Sequence, residues 1–353
     1  MPVRFLIAAL FAFFAPSVAA ANPPADLPTS LDQIVQDFVG KQEFMGTVLV
    51  ARGDTEVFAK SYGSANLEWR IPNSSTTKFR VGSVTKQFTA ACILLLEERG
   101  KLKVEDSIET YYPEAPPAWE KVTLLTLLHH TSGIHSYTDD PEFDTFTKLP
   151  ATPESLIKRI LAKPLDFETG TQFHYSNTGY ILLGMVVEKA SGMKYTDFLK
   201  VNVLEPLGMK DSGHDANAIV LPDRASGYRR KGSEIQNAQY VDMTVPYAAG
   251  SLYSTAEDLL RWERGLYGKK LLSEASLKKM ITPAQKDYAF GVAVVKKPGR
   301  TEIRHGGGIP GFNADMAYFP ESGYIVIALS NLNGPGPTEI VTKFSELLHP
   351  APH

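Results

Sequence analysis

The chain has 353 residues, with 36 lysines and arginines against 39 aspartates and glutamates, and a formal net charge of −3 at pH 7. Its charges are scattered and no basic run is longer than Arg229-Arg230-Lys231, which excludes the electrostatic footprint of a nucleic-acid or anionic-membrane binder. The single cysteine, Cys92, leaves no internal disulfide and no lipid-carrying cysteine behind a leader; in an apolar helical stretch it reads as core packing.

Arg4, the apolar run from Phe5 to Phe14, Pro16 and the small residues Ser17 to Ala21 have the three regions of a secretory signal peptide. Residues 1–21 are therefore expected to be removed near Ala20-Ala21, giving a secreted or periplasmic product. The apolar run is shorter than the roughly 20 residues that span a bilayer, so no stable membrane insertion is expected. The remainder is long enough for one large domain or two interleaved ones.

Residues 46–70 alternate as strands, with a hairpin turned at Gly53-Asp54. An apolar helix follows over 84–99, ended by Arg99-Gly100. From Lys101 to about Tyr240 the pattern is loops and helices, with helices expected over 122–129, 154–161, 178–190 and 195–201. A helix over 254–267 precedes strands over 288–295, 302–306, 314–319 and 324–329, and a last helix spans 337–348. Strands at both ends of a helical middle predict an α+β fold, an antiparallel sheet flanked by N- and C-terminal helices with an all-helical region inserted. In residue terms, 22–83 and 243–353 form the sheet domain and 84–242 the mainly helical one, with a ligand cleft between them.

Ser-x-x-Lys on a helix sets a lysine one turn above a serine on the same face, where an amine can take the hydroxyl proton. The pattern occurs five times, at Ser75/Lys78, Ser83/Lys86, Ser155/Lys158, Ser191/Lys194 and Ser276/Lys279, so context must choose. Ser83 follows Gly82 at the start of an apolar helix, near free amides and the positive end of the helix dipole. Lys86 falls in the buried first turns, where desolvation lowers an amine pKa. Ser75 lies in a polar loop, Ser191 precedes a helix-ending glycine, and Ser155 and Ser276 belong to charged surface helices. Taken alone, Ser83 also reads as a helix N-cap beneath a solvated Lys86.

The segment Phe79-Arg80-Val81-Gly82-Ser83-Val84-Thr85-Lys86-Gln87-Phe88-Thr89-Ala90 resembles the nucleophile segment of class C β-lactamase-like serine hydrolases. Leu127-Leu128-His129-His130-Thr131-Ser132-Gly133, Tyr175-Ser176-Asn177, Pro206-Leu207-Gly208-Met209, Ala249-Gly250-Ser251 and His305-Gly306-Gly307 follow in the family's order. The resemblance covers about residues 30–348. It implies a β-lactamase/transpeptidase-like fold and acyl transfer from Ser83, with Lys86 taking or relaying its proton. Tyr175 would protonate the leaving group and later activate water, as a phenolate held by Lys86 and His305. Asn177 would hold Lys86 and the substrate amide, with helix capping as its plainer role. The Ser83 and Gly308 amides would form the oxyanion hole, and His305, Gly306, Gly307 and Gly308 a substrate-binding strand.

His305 stands where true class C β-lactamases have lysine, which favours D-amino-acid peptides or carboxylic esters over efficient β-lactam hydrolysis. A β-lactamase and a catalytically silent penicillin-recognising protein are the alternatives. Glycines cost about 0.5–1 kcal/mol each in a strand, which is understandable if a substrate backbone approaches Gly306-Gly307-Gly308 closely. No Gly-Lys-Ser/Thr follows them, so a phosphate loop is not expected. His129, His130 and His135 lack ligand spacing and an acidic partner, so no metal and no cofactor are expected. The aromatics Tyr111, Tyr112, Trp119, Tyr137, Phe143 and Phe146 read as loop packing, some lining the cleft. The expected partner is a small-molecule or peptide substrate.

Overall fold

The computed structural model describes residues 26–350; the signal peptide expected over 1–21 lies outside them. Asp26 caps helix α1 (Leu27–Gly40), whose buried stripe is Leu27, Leu31, Val35 and Phe38. Strand β1 (Gly46–Arg52) turns at Gly53, which has φ +55°, into β2 (Thr55–Tyr62). Helix α2 (Thr85–Glu98) follows, and further along lie α3 (Asn177–Ser191) and α4 (Ala256–Tyr267). The C-terminal part supplies β3 (Ala293–Lys297), β4 (Arg300–Ile309), β5 (Phe312–Phe319), β6 (Tyr324–Ser330) and α5 (Gly336–Leu348).

The six strands form one antiparallel sheet in the order β3-β4-β5-β6-β1-β2. Strand β1 pairs with β6 along its whole length, from Gly46 opposite Ser330 to Arg52 opposite Tyr324. Residues Gly46 to Ala51 are all buried because both faces of the sheet centre are covered. Val48 and Val50 join α1 and α5 through Leu31, Val35, Ile340 and Phe344. Leu49 and Ala51 face the other way, into the large core that holds α2 and α4. Such a strand reads as a continuous apolar run, not as the half-buried alternation of a surface hairpin.

Thr85 through Leu96 of α2 are all buried. A helix apolar on every side belongs in an interior, and α2 accordingly lies between the sheet and the helical region. That region contains α3 and the short helices Leu124–Leu128, Phe143–Phe146 and Pro153–Lys158. Tyr195–Leu199 continues through Leu204 as a π-helix. Elements not foreseen within 84–242 include the helix Phe143–Phe146, the short strand Gly213–His214 and a hairpin of Tyr228–Lys231 with Glu234–Asn237. The hairpin's sequence has no apolar face to betray a strand, and it is fixed by parallel pairing of Tyr228 with the distant Leu332. The strand expected from Tyr288 begins only at Ala293, because the chain turns at Gly291, with φ +71°. A Cβ there would lie 2.7 Å from the Lys86 carbonyl. No helix among the described residues is long and apolar enough to cross a membrane.

Candidate active site

Ser83 sits in a single 3₁₀ turn, Gly82–Val84, that feeds directly into α2. Gly82 has φ +51° and faces β4 so closely that a Cβ would lie 2.8 Å from the Gly308 amide nitrogen. Glycine is needed there for conformation and for space. A Cβ on Gly307 would fall 1.9 Å from the Val81 carbonyl oxygen and 3.1 Å from the Ser83 nitrogen. The backbone that approaches Gly307 is thus the protein's own segment 81–83. Gly306 has only ordinary contacts, the nearest being Asp315 Oδ2 at 3.4 Å. Of the three glycines, Gly308 alone lines the cavity in front of Ser83.

Lys86 is fully buried. Its Nζ lies 3.1 Å from Ser83 Oγ and donates to Asn177 Oδ1 at 2.8 Å and to the Ala249 carbonyl at 2.7 Å. It makes no ion pair among the described residues, and burial holds its pKa well below the usual lysine range. Of the five Ser-x-x-Lys pairs, only this one joins a fully buried amine to its serine. Lys78 pairs with Asp211 at 3.0 Å and Lys279 with Glu97 at 2.9 Å, while Lys158 and Lys194 are exposed.

Tyr175 presents its ring to Lys86, with Nζ 4.8 Å from the ring centroid. Its hydroxyl is buried without a hydrogen bond of good geometry. Burial pushes the phenol pKa up, offset in part by the Ser83 hydroxyl beside it. His130, left-handed at φ +58°, accepts the Ser176 N–H on Nδ1 at 3.1 Å and sets its ring 4.3 Å from that of Tyr175. Asn177 opens α3 without capping it, Ser176 being the N-cap residue. Its own N–H goes to Ser136 Oγ at 3.0 Å and its Nδ2 to Thr138 Oγ1 at 3.1 Å.

His305 is not a charged group facing the cavity. It is buried, with Nδ1–H directed to the Gly306 carbonyl and Nε2 accepting from the Tyr288 hydroxyl at 2.9 Å. Both nitrogens are satisfied in the neutral tautomer. Burial, followed by the Lys86 charge, lowers its pKa to about 4. The expectation of a cation at this position, stabilising a phenolate or a substrate carboxylate, therefore gives way to a neutral ring beside a neutral phenol.

The cavity measures about 240 Å³ and is bounded by Ser83, Asn177, Gly308, Tyr137, Phe143 and Asp144, among others. Of the aromatics flagged in the sequence, Tyr137 and Phe143 reach it, whereas Tyr112, Trp119 and Phe146 are core. A larger cavity, about 720 Å³, lies around Lys200 and Tyr253 and contains none of these groups.

The family model described as beta-lactamase matches residues 31–349. The chain belongs to the beta-lactamase family. PbpX, a protein of Bacillus subtilis (strain 168) named as a penicillin-binding protein, is 30% identical over 319 residues, covering 90% of this chain and 78% of its own. A penicillin-binding protein from Bacillus halodurans superposes with a TM-score of 0.80 at 29% identity, over 90% of this chain and 99% of that one. A D-stereospecific amidohydrolase from Streptomyces sp. does so with a TM-score of 0.79 at 25% identity, over 90% and 97%.

In this beta-lactamase-family protein several contributors to the site carry no motif of their own. Ser136, Thr138 and Tyr288 come from loops, and Ala249, although inside a family-like segment, acts through its backbone carbonyl. His130 was visible as one of two adjacent histidines in the family-like segment Leu127 to Gly133, with no role attached to it. Its signal is positional, since the left-handed residue after Leu124–Leu128 turns the ring inward while His129 packs edge-on to Phe290.

Proposed function

We propose that this protein is an exported serine hydrolase that forms an acyl-enzyme on Ser83 and transfers it to water, acting on D-amino-acid amides or peptides or on carboxylic esters. The observation that carries the reading is the surroundings of Lys86 Nζ. A neutral amine has two N–H donors and one lone pair. The Asn177 and Ala249 oxygens can only accept, so they take the two donors and leave the lone pair for the Ser83 hydroxyl. Burial without a counter-ion favours that neutral form at working pH.

Lys86 then accepts the Ser83 proton as Oγ attacks the carbonyl, and the developing oxyanion falls between the Ser83 and Gly308 amides. Such a donor contributes roughly 3–4 kcal/mol of transition-state stabilisation. Tyr175, kept as a phenol by burial, protonates the leaving group, and the Lys86 ammonium returns a proton to the phenolate. Deacylation runs the same relay with water in place of the leaving group.

The neutral His305 weighs against efficient turnover of carboxylate-bearing β-lactams, and the likeness to a D-stereospecific amidohydrolase supports amides. Treatment with a fluorophosphonate probe and peptide mass mapping tests the proposal. Label on the peptide carrying Ser83, lost in Ser83→Ala and kept in Ser75→Ala, is the expected result. Silence toward both fluorophosphonate and fluorescent penicillin would favour a binding protein without turnover.

A further inference from the structure

The cavity in front of Ser83 has walls of Tyr137, Phe143, Val241, Val245, Pro246 and Ile309, and its one charged lining residue is Asp144. Asp144 lies on the short helix Phe143–Phe146 and is exposed, with no hydrogen bond or ion pair from its carboxylate among the described residues. Cations nearby are engaged elsewhere. Arg80 and Arg224 grip opposite oxygens of the buried Asp215, at 2.6 and 2.8 Å, and line a separate cavity. Arg159 stacks 3.9 Å over the Phe146 ring and pairs with Glu142 at 3.5 Å. Lys163 pairs with Asp140 at 3.7 Å. Lys86 is buried behind Ser83, and His305 is bound to Tyr288.

A cavity of mixed lining, with Thr138, Thr147, Asn177 and Gln239 beside its apolar walls, that has one unpaired negative charge and no positive one selects by charge as well as by shape. A carboxylate-bearing substrate meets repulsion from Asp144, whereas an ammonium finds its only charged partner there. The acyl half of a substrate stays attached to Ser83 through both chemical steps while the other half departs, so a space this small beside Ser83 is filled by the acyl half. Resting on the hydrolase reading above, we infer that Asp144 is a specificity-determining residue that binds the free α-ammonium of the acyl group. The preferred substrate is then an amide or ester of an unblocked amino acid with an apolar or aromatic side chain.

The test compares D-phenylalanine p-nitroanilide with its N-acetyl counterpart in the wild type, Asp144→Asn, Asp144→Lys and Asp144→Glu. An ion pair at an open cavity mouth is worth up to about 1 kcal/mol, or roughly fivefold. The amine-over-acetyl ratio of kcat/KM should therefore fall about fivefold in Asp144→Asn, fall further in Asp144→Lys and be largely kept in Asp144→Glu. In the wild type the ratio should shrink in high salt. Where the anilides turn over slowly, protection of Ser83 from fluorophosphonate by D-phenylalanine amide against N-acetyl-D-phenylalanine amide reads the same preference. A ratio unmoved by Asp144→Asn and Asp144→Lys, in protein that labels on Ser83, overturns this inference and leaves the hydrolase reading standing. Absence of labelling on Ser83 overturns both.

Discussion

Lys86 Nζ and the Ala249 carbonyl oxygen are 2.7 Å apart, so an amine of α2 is aimed by a backbone group 163 residues further along the chain. With the Asn177 oxygen as second acceptor, this contact orients the one basic group of the site toward Ser83. Burial favours the neutral form of both this amine and the Tyr175 phenol, and that is the proton inventory from which the proposed acylation starts.

That inventory sets the pH dependence of acylation. Lys86 must be deprotonated to act, so the labelling rate should rise with pH through a limb well below the ordinary lysine value of about 10.4, as burial lowers its pKa. Lys86→Ala should remove the limb along with most of the rate. An acylation rate that keeps the same profile in Lys86→Ala would remove Lys86 from the reaction.

Tyr175→Phe keeps the ring that Lys86 faces and deletes only the phenol oxygen. On an amide substrate kcat should drop by roughly 10²–10⁴-fold. An ester with a good leaving group needs little protonation and should lose far less in acylation, which pre-steady-state kinetics would resolve.

His305 titrates near pH 4 by virtue of its burial, so the preference between a carboxylate-bearing ester and its neutral analogue should be flat between pH 6 and 8. In stability the sign is opposite to that of a surface histidine. The unfolded ring takes up a proton near about pH 6.5 and the folded one only near 4. The fold therefore keeps its full stability above the first value and loses it as pH falls toward the second. His305→Gln forfeits the Tyr288 bond and, having no proton to take up, also that slope, so its Tm deficit should be smaller at pH 5 than at pH 8.

Adjacent glycines of β4 should differ sharply on substitution. Gly307→Ala drives a methyl into the Val81 carbonyl at 1.9 Å and must displace the turn that carries Ser83; a loss on the scale of an oxyanion donor, about 10²–10³-fold in kcat, is expected. Gly306→Ala meets its nearest neighbour at 3.4 Å and should stay within a few-fold of wild type.

Glu263 of α4 is buried with one carboxyl oxygen unpartnered, and desolvation raises its pKa to about 8. Unfolded, it ionises from about pH 4.3 upward, so the native state loses stability between there and about pH 8. Glu263→Gln should raise Tm, by an amount that grows from pH 5 to pH 8 and then levels off, as calorimetry across that range would record.

The sequence was most legible where local rules and tertiary structure agree. Gly53-Asp54 turns the hairpin and the apolar run after Ser83 is a buried helix, though the choice of Ser83 and Lys86 among five similar pairs needed the other family-like segments as well. It failed where partners are distant. The Tyr228–Asn237 hairpin depends on Leu332, and the Ala249 carbonyl has no side chain to advertise it. For His305 a residue type was read as a charge, yet the charge depends on Tyr288 and the Gly306 carbonyl, neither of which the motif contains.

Strand β1, made among the first residues of the fold, finds its β6 partner only when nearly the last are present. Some 270 residues intervene, so the sheet has high contact order and its central pairing forms late. Gly308, which fronts Ser83, sits on a strand of the same late-arriving segment. A chain interrupted before residue 300 therefore carries Ser83, Lys86 and Tyr175 but no wall opposite them. Under the proposed function, labelling at Ser83 would report whether the strand that carries Gly308 has been made and has found its place in the sheet.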